Sequence, residues 1–434
     1  MKQLLLNSDD FSRRQFVAQA AKTFLGVSAL PLCLKKAHAA GRLGSETVPT
    51  NRPLARNIIY LYMSGGMTHL DTLDPKPGTE QGGPVKAIKT KADGVQISEY
   101  MPLLAGQMNK GCAIRSLSST KGAHDQGRYF MHTSYAKRAT IVHACMGSWT
   151  TRFQDRSNGT LPGSVLIGGG SQFAGSGFLG SKHTPLAIGN PTAGLQNSKR
   201  IPNVTEEKFH DRLTLANRLG KKFRTKYDIT ATKAYSDMYK DAIKLMSSKD
   251  LQAFDLNKEP ESMKDLYGES TFGQGCLLAR RLVENNVRYV EVNLGGWDTH
   301  QNNFVRVPEQ AGYLDQGLAA LLRDLETRGM LDETLIVLAT EFGRTPTINQ
   351  NAGRDHYPKA FSGFLAGGGI KGGQAYGKTD EGGANVIENK VTIPDFNATI
   401  AYALGLPLGQ VVYSPSRRPF TIADKGLPLT HLFV

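Results

Sequence analysis

A buried β-strand is predicted by the sequence Asn57-Ile58-Ile59-Tyr60-Leu61-Tyr62-Met63, which is followed at once by Ser64-Gly65-Gly66. The run is apolar or aromatic along its whole length, as in a strand that is covered on both faces. The serine and the two glycines indicate the loop into which the strand opens. The folded part of the chain is therefore expected to begin with a central strand of a sheet.

Further strands and helices alternate along the chain after this first strand. Strand patterns cover residues 113–117, 287–294 and 334–340, and helix patterns cover residues 125–135, 206–256, 271–285, 308–329 and 395–404. This alternation, with strands that are apolar throughout, predicts an α/β fold with a mostly parallel central sheet that is covered on both faces. The Gly, Ser, Asn and Pro content of residues 152–205 predicts a surface loop or insertion.

The N-terminus carries the pattern of a targeting signal. Ser12-Arg13-Arg14-Gln15-Phe16-Val17 is a twin-arginine motif, a modestly apolar stretch continues to Leu34, and Ala37-His38-Ala39 ends a cleavage site. The order of these parts predicts that residues 1–39 are a Tat signal peptide. The protein is then periplasmic or secreted, and the Tat translocase is its partner during export. The alternative is a short amphipathic helix of the folded domain.

The net charge of the chain indicates which kinds of binding partner are favoured. The chain has 434 residues, with 52 Lys and Arg against 38 Asp and Glu, and a net charge of +14. Residues 1–39 hold six basic and two acidic residues, so their removal leaves +10. A basic exported protein favours anionic partners such as phosphate or sulfate esters, acidic polysaccharide or lipid headgroups, although a solvated surface also explains such charge. The basic residues 212–226 are predicted to form the outer face of a helix, and without interleaved aromatic residues nucleic acid is not expected.

Composition excludes several classes of protein. With 40% hydrophobic residues the chain can bury a core, and the mature chain has no apolar run of membrane-spanning length. Three cysteines follow residue 39, namely Cys112, Cys145 and Cys276, and none forms a C-x-x-C pair. Neither a zinc knuckle nor a disulfide scaffold is indicated. Whether Cys112 and Cys145 pair stays open, because spacing alone does not decide it.

Polar clusters rich in Asp, Glu and His follow the predicted strands. They cover residues 64–77, 295–300 and 340–346, with a fourth cluster at 353–358. Strand ends of a parallel sheet gather at one edge, where such folds place their working site. Carboxylates and imidazoles are ligands of Zn²⁺, Mn²⁺ and similar ions, so the sequence predicts a divalent-metal site. Each cluster alone also has an ordinary reading, such as turn capping by Asp71.

Five strings carry a resemblance to a known family. They are residues 295–300 (Gly-Gly-Trp-Asp-Thr-His), 341–346 (Glu-Phe-Gly-Arg-Thr-Pro), 353–356 (Gly-Arg-Asp-His), 70–77 (Leu-Asp-Thr-Leu-Asp-Pro-Lys-Pro) and 367–373 (Gly-Gly-Gly-Ile-Lys-Gly-Gly). The chain resembles the family called Domain of Unknown Function 1501, which is similar to the alkaline phosphatase superfamily with its sulfatases. The resemblance implies a three-layer α/β/α sandwich with a two-metal site. We expect one such domain over residues 40–434, and the composition and helical patterns predict a loop or helical insertion in it at about 152–270.

The resemblance assigns metal ligands residue by residue. Asp71 stands where the superfamily has its first Asp ligand, and Asp298 and His300 stand where it has an Asp and a His. Glu341 takes the place of the Asp in an Asp-His pair, whose His is replaced by Phe342. His356 matches the final His ligand. The implied cofactor is one or two divalent ions, Zn²⁺ or Mn²⁺, since the replacement at Phe342 leaves the metal count open.

The segment that matches the superfamily's nucleophile is residues 116–125. Thr120 is the candidate nucleophile and His124 a ligand or an acid/base, although Thr120 also fits a helix cap. Arg344 is a candidate clamp for an anionic oxygen, or else an ion-pair partner of a nearby carboxylate. The sulfatase signature C/S-x-P-x-R does not occur in the chain.

Two functions remain after these assignments. The first is an exported metal-dependent hydrolase of phosphate or sulfate esters, acting on an anionic small molecule or a polysaccharide ester. The second is a non-catalytic binding or assembly protein that the metal stabilises, because a fold does not imply a function. A redox protein is not supported, since no dinucleotide-binding or haem motif is found in the sequence.

Overall fold

The structure is a computed structural model that describes residues 52–154, 158–169, 175–198, 200–227 and 230–434. The predicted Tat signal peptide, residues 1–39, lies outside the described residues. Within the described ranges, no helix combines the length and the apolar character needed to cross a membrane.

The strands and helices of the described residues are as follows. The strands are β1 (Asn57–Met63), β2 (Ala87–Lys89), β3 (Gln96–Ser98), β4 (Gly111–Ser118), β5 (Ser164–Ile167), β6 (Leu186–Ile188), β7 (Tyr289–Leu294), β8 (Thr334–Thr340), β9 (Gly343–Arg344), β10 (His356–Tyr357), β11 (Phe361–Ala366), β12 (Gln374–Tyr376), β13 (Lys378–Thr379), β14 (Val386–Glu388), β15 (Val391–Thr392), β16 (Val412–Tyr413) and β17 (Pro419–Phe420). The α-helices are α1 (Pro102–Ala105), α2 (His124–Thr133), α3 (Met146–Phe153), α4 (Glu206–Lys226), α5 (Thr230–Met246), α6 (Glu261–Tyr267), α7 (Thr271–Glu284), α8 (Asn303–Thr327) and α9 (Ile393–Ala403). Short 3₁₀ helices cover Met108–Lys110, Gly177–Leu179, Ser181–His183, Lys249–Phe254, Leu256–Lys258, Ile422–Lys425 and Thr430–Leu432.

One large sheet forms the centre of the described structure. Its strands follow the order β12-β4-β11-β8-β1-β7-β5-β6, and β15 pairs with β4 beside this path. Every pair is parallel except those of β11, which runs antiparallel to both β4 and β8. The predicted mostly parallel sheet is therefore confirmed, and β1 lies inside it.

Both faces of the sheet are covered by helices. Alternate side chains of β1 divide between two cores, with Ile59 and Leu61 in one and Ile58 and Tyr60 in the other. Helices α7 and α8 contribute to the first core, while α2, α3 and α9 contribute to the second. The molecule is thus the three-layer α/β/α sandwich that the resemblance implied.

Helix α8 is longer than predicted. The sequence pattern placed its start at Pro308, whereas the helix begins at Asn303 and includes Pro308. A proline in the second turn removes one backbone hydrogen bond, and burial of the helix outweighs this cost. Leu314, Leu318 and Leu321 continue the helical period on the buried side. Tertiary packing therefore overrides the preference of proline for a helix start.

The predicted surface loop over residues 152–205 is wrong at two places, because β5 and β6 belong to the central sheet. Val165 of β5 lies opposite Val290 of β7 in parallel register, and β6 pairs with β5 beyond it. Strands of four and three residues are too short to show a period among glycines and prolines. The sequence pattern also misses β11, where Ser362 and Gly363 interrupt the apolar run.

The question of a Cys112–Cys145 disulfide is answered by the structure. Cys112, Cys145 and Cys276 are all buried, and no disulfide joins any two of these three residues. The Sγ atom of Cys145 lies 3.3 Å from Oγ of Ser148. Burial raises the pKa of Cys112 to about 12 and that of Cys145 to about 11. These thiols stay protonated at neutral pH and behave as small apolar side chains.

The working edge of the sheet is where β1, β4, β7 and β8 end. Their last residues are Met63, Ser118, Leu294 and Thr340, and all four strands run in the same direction. The loops that follow these strands carry the polar clusters of the sequence. A small antiparallel ribbon of β9 and β10 adds a further segment to this edge, with His356 paired to Arg344.

Candidate metal centre

Four side chains converge beyond this edge, and we call them the His/Asp cluster: His124, Asp298, His300 and His356. His124 is the first residue of α2, Asp298 and His300 follow β7, and His356 begins β10. The loop after β7 comes close because Gly65 has a φ of 120°, and a Cβ there would lie 2.5 Å from the backbone nitrogen of Asp298. Three strand ends and one ribbon thus meet at one point.

The distances in the His/Asp cluster are those of a ligand set. The candidate ligand atoms of His124, Asp298 and His356 all lie within 4.8 Å of one another. Nε2 of His124 is 3.3 Å from Oδ2 of Asp298, and Nε2 of His356 is 3.5 Å from Oδ1. Nε2 of His300 is 3.1 Å from Oδ1 of Asp298 and 3.0 Å from Nε2 of His356. His300 therefore extends the group of three on its more exposed side.

The tautomers of the three histidines follow from their other ring nitrogens. Each Nδ1 faces an oxygen that only accepts, so each Nδ1 carries a proton, and in the neutral ring the lone pair is on Nε2. The pairs are His124 with Oε1 of Glu341 at 2.9 Å, His300 with Oδ1 of Asp355 at 2.6 Å, and His356 with the carbonyl of Gly122 at 2.8 Å. Metal-binding histidines are held in this way, with Nδ1–H donated outward and Nε2 directed at the ion.

A cation satisfies this arrangement, because the Nε2 atoms of the histidines are directed at one another and at Asp298. The Nε2 atoms of His300 and His356 are 3.0 Å apart. The buried Nε2 of His124 has no hydrogen-bond partner in the described structure, although it faces Asp298. Ligand atoms around a tetrahedral ion at a bond length near 2.0 Å are separated by about 3.3 Å. The observed separations fit such an ion, and nitrogen with carboxylate oxygen suits Zn²⁺ or Mn²⁺.

The charge state of the His/Asp cluster favours a cation. Burial alone raises the pKa of Asp298, but a 2.5 Å hydrogen bond from Nη2 of Arg344 and the positive charge of that guanidinium lower it to about 2. Burial, and then the positive charge of Arg344, lower the pKa of His356. The cluster at neutral pH is therefore a carboxylate with neutral imidazole at His356, which are the protonation states that metal ligands need.

Phe342 forms an apolar wall of the site. Its ring centroid lies 5.1 Å from that of His124 and 4.7 Å from that of His356. This is the position where the resemblance expects a histidine ligand, so the wall stands in place of a ligand. Among the described residues, one group of three or more potential ligands satisfies the distances needed to hold an ion, and it is the one described above.

The structure does not bring Glu341, a predicted ligand, into the His/Asp cluster. Its carboxylate is fully buried and accepts hydrogen bonds from Tyr62 Oη at 2.8 Å, Gly65 N at 2.9 Å, His124 Nδ1 at 2.9 Å and Arg128 Nε at 3.3 Å. Burial works against its charge, yet the hydrogen bond from His124 and the other donors lower its pKa. Glu341 is thus an ionised carboxylate that holds His124 in place from behind.

Asp71, another predicted ligand, is occupied by Arg354. Both residues are fully buried, and Arg354 donates Nε to Oδ2 at 2.9 Å and Nη2 to Oδ1 at 3.0 Å. Nδ2 of Asn303 and Oγ1 of Thr68 also donate to Oδ2, at 2.8 and 2.9 Å. Because these contacts use both carboxylate oxygens, Asp71 ties the loop after β1 to the loop before β10. It lies outside the His/Asp cluster.

Arg344 and Thr120 occupy different environments. Arg344 is fully buried and donates to Asp298 and to the carbonyls of Gly65, Gly66 and Arg354, so it braces the loops around the cluster. Thr120 is exposed in the bend between β4 and α2. The N-cap of α2 is Ala123, so the alternative reading of Thr120 as a helix cap is wrong.

Several functional side chains are missed by reasoning from the sequence. Asp355 orients His300, and Arg354 secures Asp71. Both belong to the string at residues 353–356, whose Asp looked like an ordinary loop residue beside a histidine. Arg128, with a side chain 27% exposed, donates to Glu341 at the rim of the site. Its position one turn after His124 on α2 is the signal that places it there.

A comparison with protein-family models agrees with the motifs. The family described as "Protein of unknown function (DUF1501)" matches residues 55–433. Among curated proteins no match to this sequence is found. The chain is similar in structure to the PsFucS1 sulfatase from Pseudoalteromonas sp., with 14% identity, 85% of this chain and 76% of that chain covered, and a TM-score of 0.37. It is also similar to an alkaline phosphatase from the Antarctic bacterium TAB5, with 10% identity, 75% and 95% covered, and a TM-score of 0.30.

Proposed function

The chain belongs to the DUF1501 family, and from that premise and its His/Asp cluster we propose that it is a metal-dependent hydrolase of phosphate or sulfate esters. The proposal extends to export by the Tat pathway through residues 1–39, and to a mature domain that starts at residue 40. The substrate is proposed to be an anionic small molecule or a polysaccharide ester, in keeping with the basic chain.

One observation carries the proposal of a metal. The Nε2 atoms of His300 and His356 face each other at 3.0 Å while their Nδ1 atoms are both committed to oxygen acceptors. Two lone pairs repel at this distance, and a cation bound by both nitrogen atoms, or a proton on one ring, relieves that repulsion. Asp298 supplies the negative charge that such a cation requires. Protonation of His356 is a poor way to relieve the repulsion between the two Nε2 atoms, because the pKa of His356 is lowered.

The chemistry then divides between the ion and the protein. A bound divalent ion supplies Lewis-acid polarisation of an ester oxygen and activation of an attacking oxygen nucleophile. Glu341, Asp355 and the carbonyl of Gly122 hold the imidazoles in their ligand tautomers. Phe342 excludes water from one side of the site, which strengthens electrostatic interactions inside it. Arg128 offers a partly exposed positive charge at the rim for an anionic ester.

A metal-stabilised protein without catalysis is the second candidate, and one observation favours it. Four N–H groups of Arg344 are used by Asp298 and three backbone carbonyls, so the predicted anion clamp acts as a brace in this structure. Thr120, the proposed nucleophile, lies at an exposed bend. On this second proposal the ion joins the loops of the working edge and takes no part in turnover.

Elemental analysis of the purified protein is the first experiment. We expect about one to two equivalents of Zn or Mn, lost in Asp298→Ala and in His356→Ala. His210→Ala is the matched control, because His210 is an exposed histidine on α4. A folded protein that holds no metal and takes up none from solution contradicts both candidates. Metal in the absence of turnover across phosphate and sulfate esters favours the second candidate, and turnover that needs the metal favours the first.

Export is tested separately from catalysis. Replacing the arginine pair by Arg13→Lys and Arg14→Lys in the full precursor is expected to retain it in the cytoplasm, because the twin arginine is the recognised feature of the signal. Cell fractionation of a strain that expresses each precursor measures the outcome. Equal export of both precursors, or of the chain in a strain without the translocase, contradicts the Tat proposal.

A further inference from the structure

Helix α4 is a long helix that contributes nothing to the core. It has 21 residues, none of them buried, and it begins with an N-cap in which Oγ1 of Thr205 accepts from the backbone of Lys208. Three large apolar side chains on it are open to solvent, with Leu215 46%, Leu219 70% and Phe223 56% exposed. Most helices in proteins are stabilised by burying one apolar face, whereas among the described residues α4 only half-buries Phe209 and Leu213.

The exposed apolar side chains lie on one side of α4. Leu215, Leu219 and Phe223 are spaced by four residues, so they form a stripe along the helix. Arg212, Lys222 and Lys226 fall beside this stripe at spacings of three or four residues from its members. Lys221 points to the opposite side, since it is two residues from both Leu219 and Phe223. We call this side of the helix the striped face. Its exposed residues are Arg212, Leu215, Leu219, Lys222, Phe223 and Lys226.

The charge of α4 is of one sign beyond its first turns. Residues 212–226 contain six Lys and Arg and no Asp or Glu. The acids of the helix, Glu206, Glu207 and Asp211, precede this part. Such charge repels itself along an isolated helix, and an anionic surface relieves that repulsion. The partner is therefore negative, and the apolar stripe requires that it also accept Leu and Phe side chains.

We propose that the striped face of α4 binds the surface of a membrane that contains anionic phospholipid. A polyanion such as an acidic polysaccharide uses the cations but leaves the apolar stripe in water. A bilayer interface takes both, because apolar side chains enter the acyl boundary while cations reach the headgroups. A helix of 21 residues is about 32 Å long, which lets it lie flat on the surface.

Vesicle flotation with the purified full chain tests this proposal. The probes are vesicles of phosphatidylcholine alone and of phosphatidylcholine with phosphatidylglycerol. We expect binding to the anionic vesicles only, weakened at least about tenfold by Leu219→Ser together with Phe223→Ser. Lys222→Glu is expected to weaken binding at least about fivefold, the effect of removing one cation near the surface. Lys221→Glu is the matched control, with the same change of charge on the opposite side of the helix.

The outcomes separate membrane binding from other causes. All variants share the same N-terminus, so any contribution from residues 1–39 is common to them and cancels in the comparison. No difference between Lys221→Glu and Lys222→Glu, or none between the serine variant and the unchanged chain, overturns the proposal. Equal binding to neutral vesicles also overturns it. Binding to dextran sulfate that survives the serine substitutions, without binding to vesicles, assigns the helix to a polyanion instead.

Discussion

The Nε2 atoms of His300 and His356 lie 3.0 Å apart, and both rings direct their Nδ1 protons away from each other. His300 uses Asp355 and His356 uses the carbonyl of Gly122 as acceptors. The two lone pairs are therefore fixed by contacts outside the pair. A site that is assembled in this way before an ion arrives loses little side-chain entropy on binding.

The two histidines are expected to differ in their contribution to metal binding. His356 is one of the three residues whose ligand atoms lie within 4.8 Å of one another, whereas the His300 side chain is 42% exposed at the edge of the group. We expect His356→Ala to abolish measurable uptake of Zn²⁺ or Mn²⁺ and His300→Ala to weaken it. Isothermal titration with each ion measures the difference. Stronger loss in His300→Ala than in His356→Ala contradicts this order.

Glu341 is expected to act on the metal through His124. Glu341→Gln keeps the size of the side chain but replaces its charge, so His124 loses its ionised acceptor. Loss of such a partner lowers metal affinity by about 10–100-fold. Asp355→Asn at the exposed partner of His300 is the comparison, and a smaller effect is expected because water replaces the contact. Competition with a chelator measures both, and equal affinities for Glu341→Gln and the unchanged chain exclude this role.

The layers of the fold were predictable because long buried strands can be recognised from their own sequence. β1 and β8 are apolar on both faces, so their patterns need no information from the rest of the chain. β5, β6 and β11 carry too little pattern of their own. Pairing decides them: β5 with β7, β6 with β5, and β11 with β4 and β8. In those segments, whether the chain forms a strand depends on its pairing with neighbouring strands and not on its own sequence.

The candidate site was predictable in its chemistry and less so in its roles. Asp298, His300 and His356 meet as the strand ends suggested. Glu341 and Asp71 are residues of a type that binds metals. Their carboxylates instead accept hydrogen bonds from His124 and Arg354, respectively, and lie outside the His/Asp cluster. Such contacts join residues more than 200 positions apart in the sequence, and no local spacing encodes them.

Asp71 is expected to stabilise the fold without binding the metal. Asp71→Asn leaves the buried guanidinium of Arg354 without its ionised partner, and breaking a buried pair of this kind costs about 3–5 kcal/mol. We expect a large loss in the free energy of unfolding by urea, with metal content per folded molecule unchanged. Asp93→Asn, at an exposed carboxylate, is the control. Loss of the ion from folded Asp71→Asn protein restores Asp71 as a ligand.

Asp315 is expected to make stability depend on pH at a point away from the metal. Its buried carboxylate accepts from the backbone of Leu103 at 2.9 Å and of Leu104 at 2.6 Å, and burial raises its pKa to about 6 despite these bonds. The unfolded value is about 3.9, so the folded state holds the proton more tightly. The free energy of unfolding of the unchanged chain, relative to that of Asp315→Asn, should therefore fall as pH rises from about 4 to 6. Urea unfolding across this window measures it, and a relative free energy that rises with pH refutes the raised pKa.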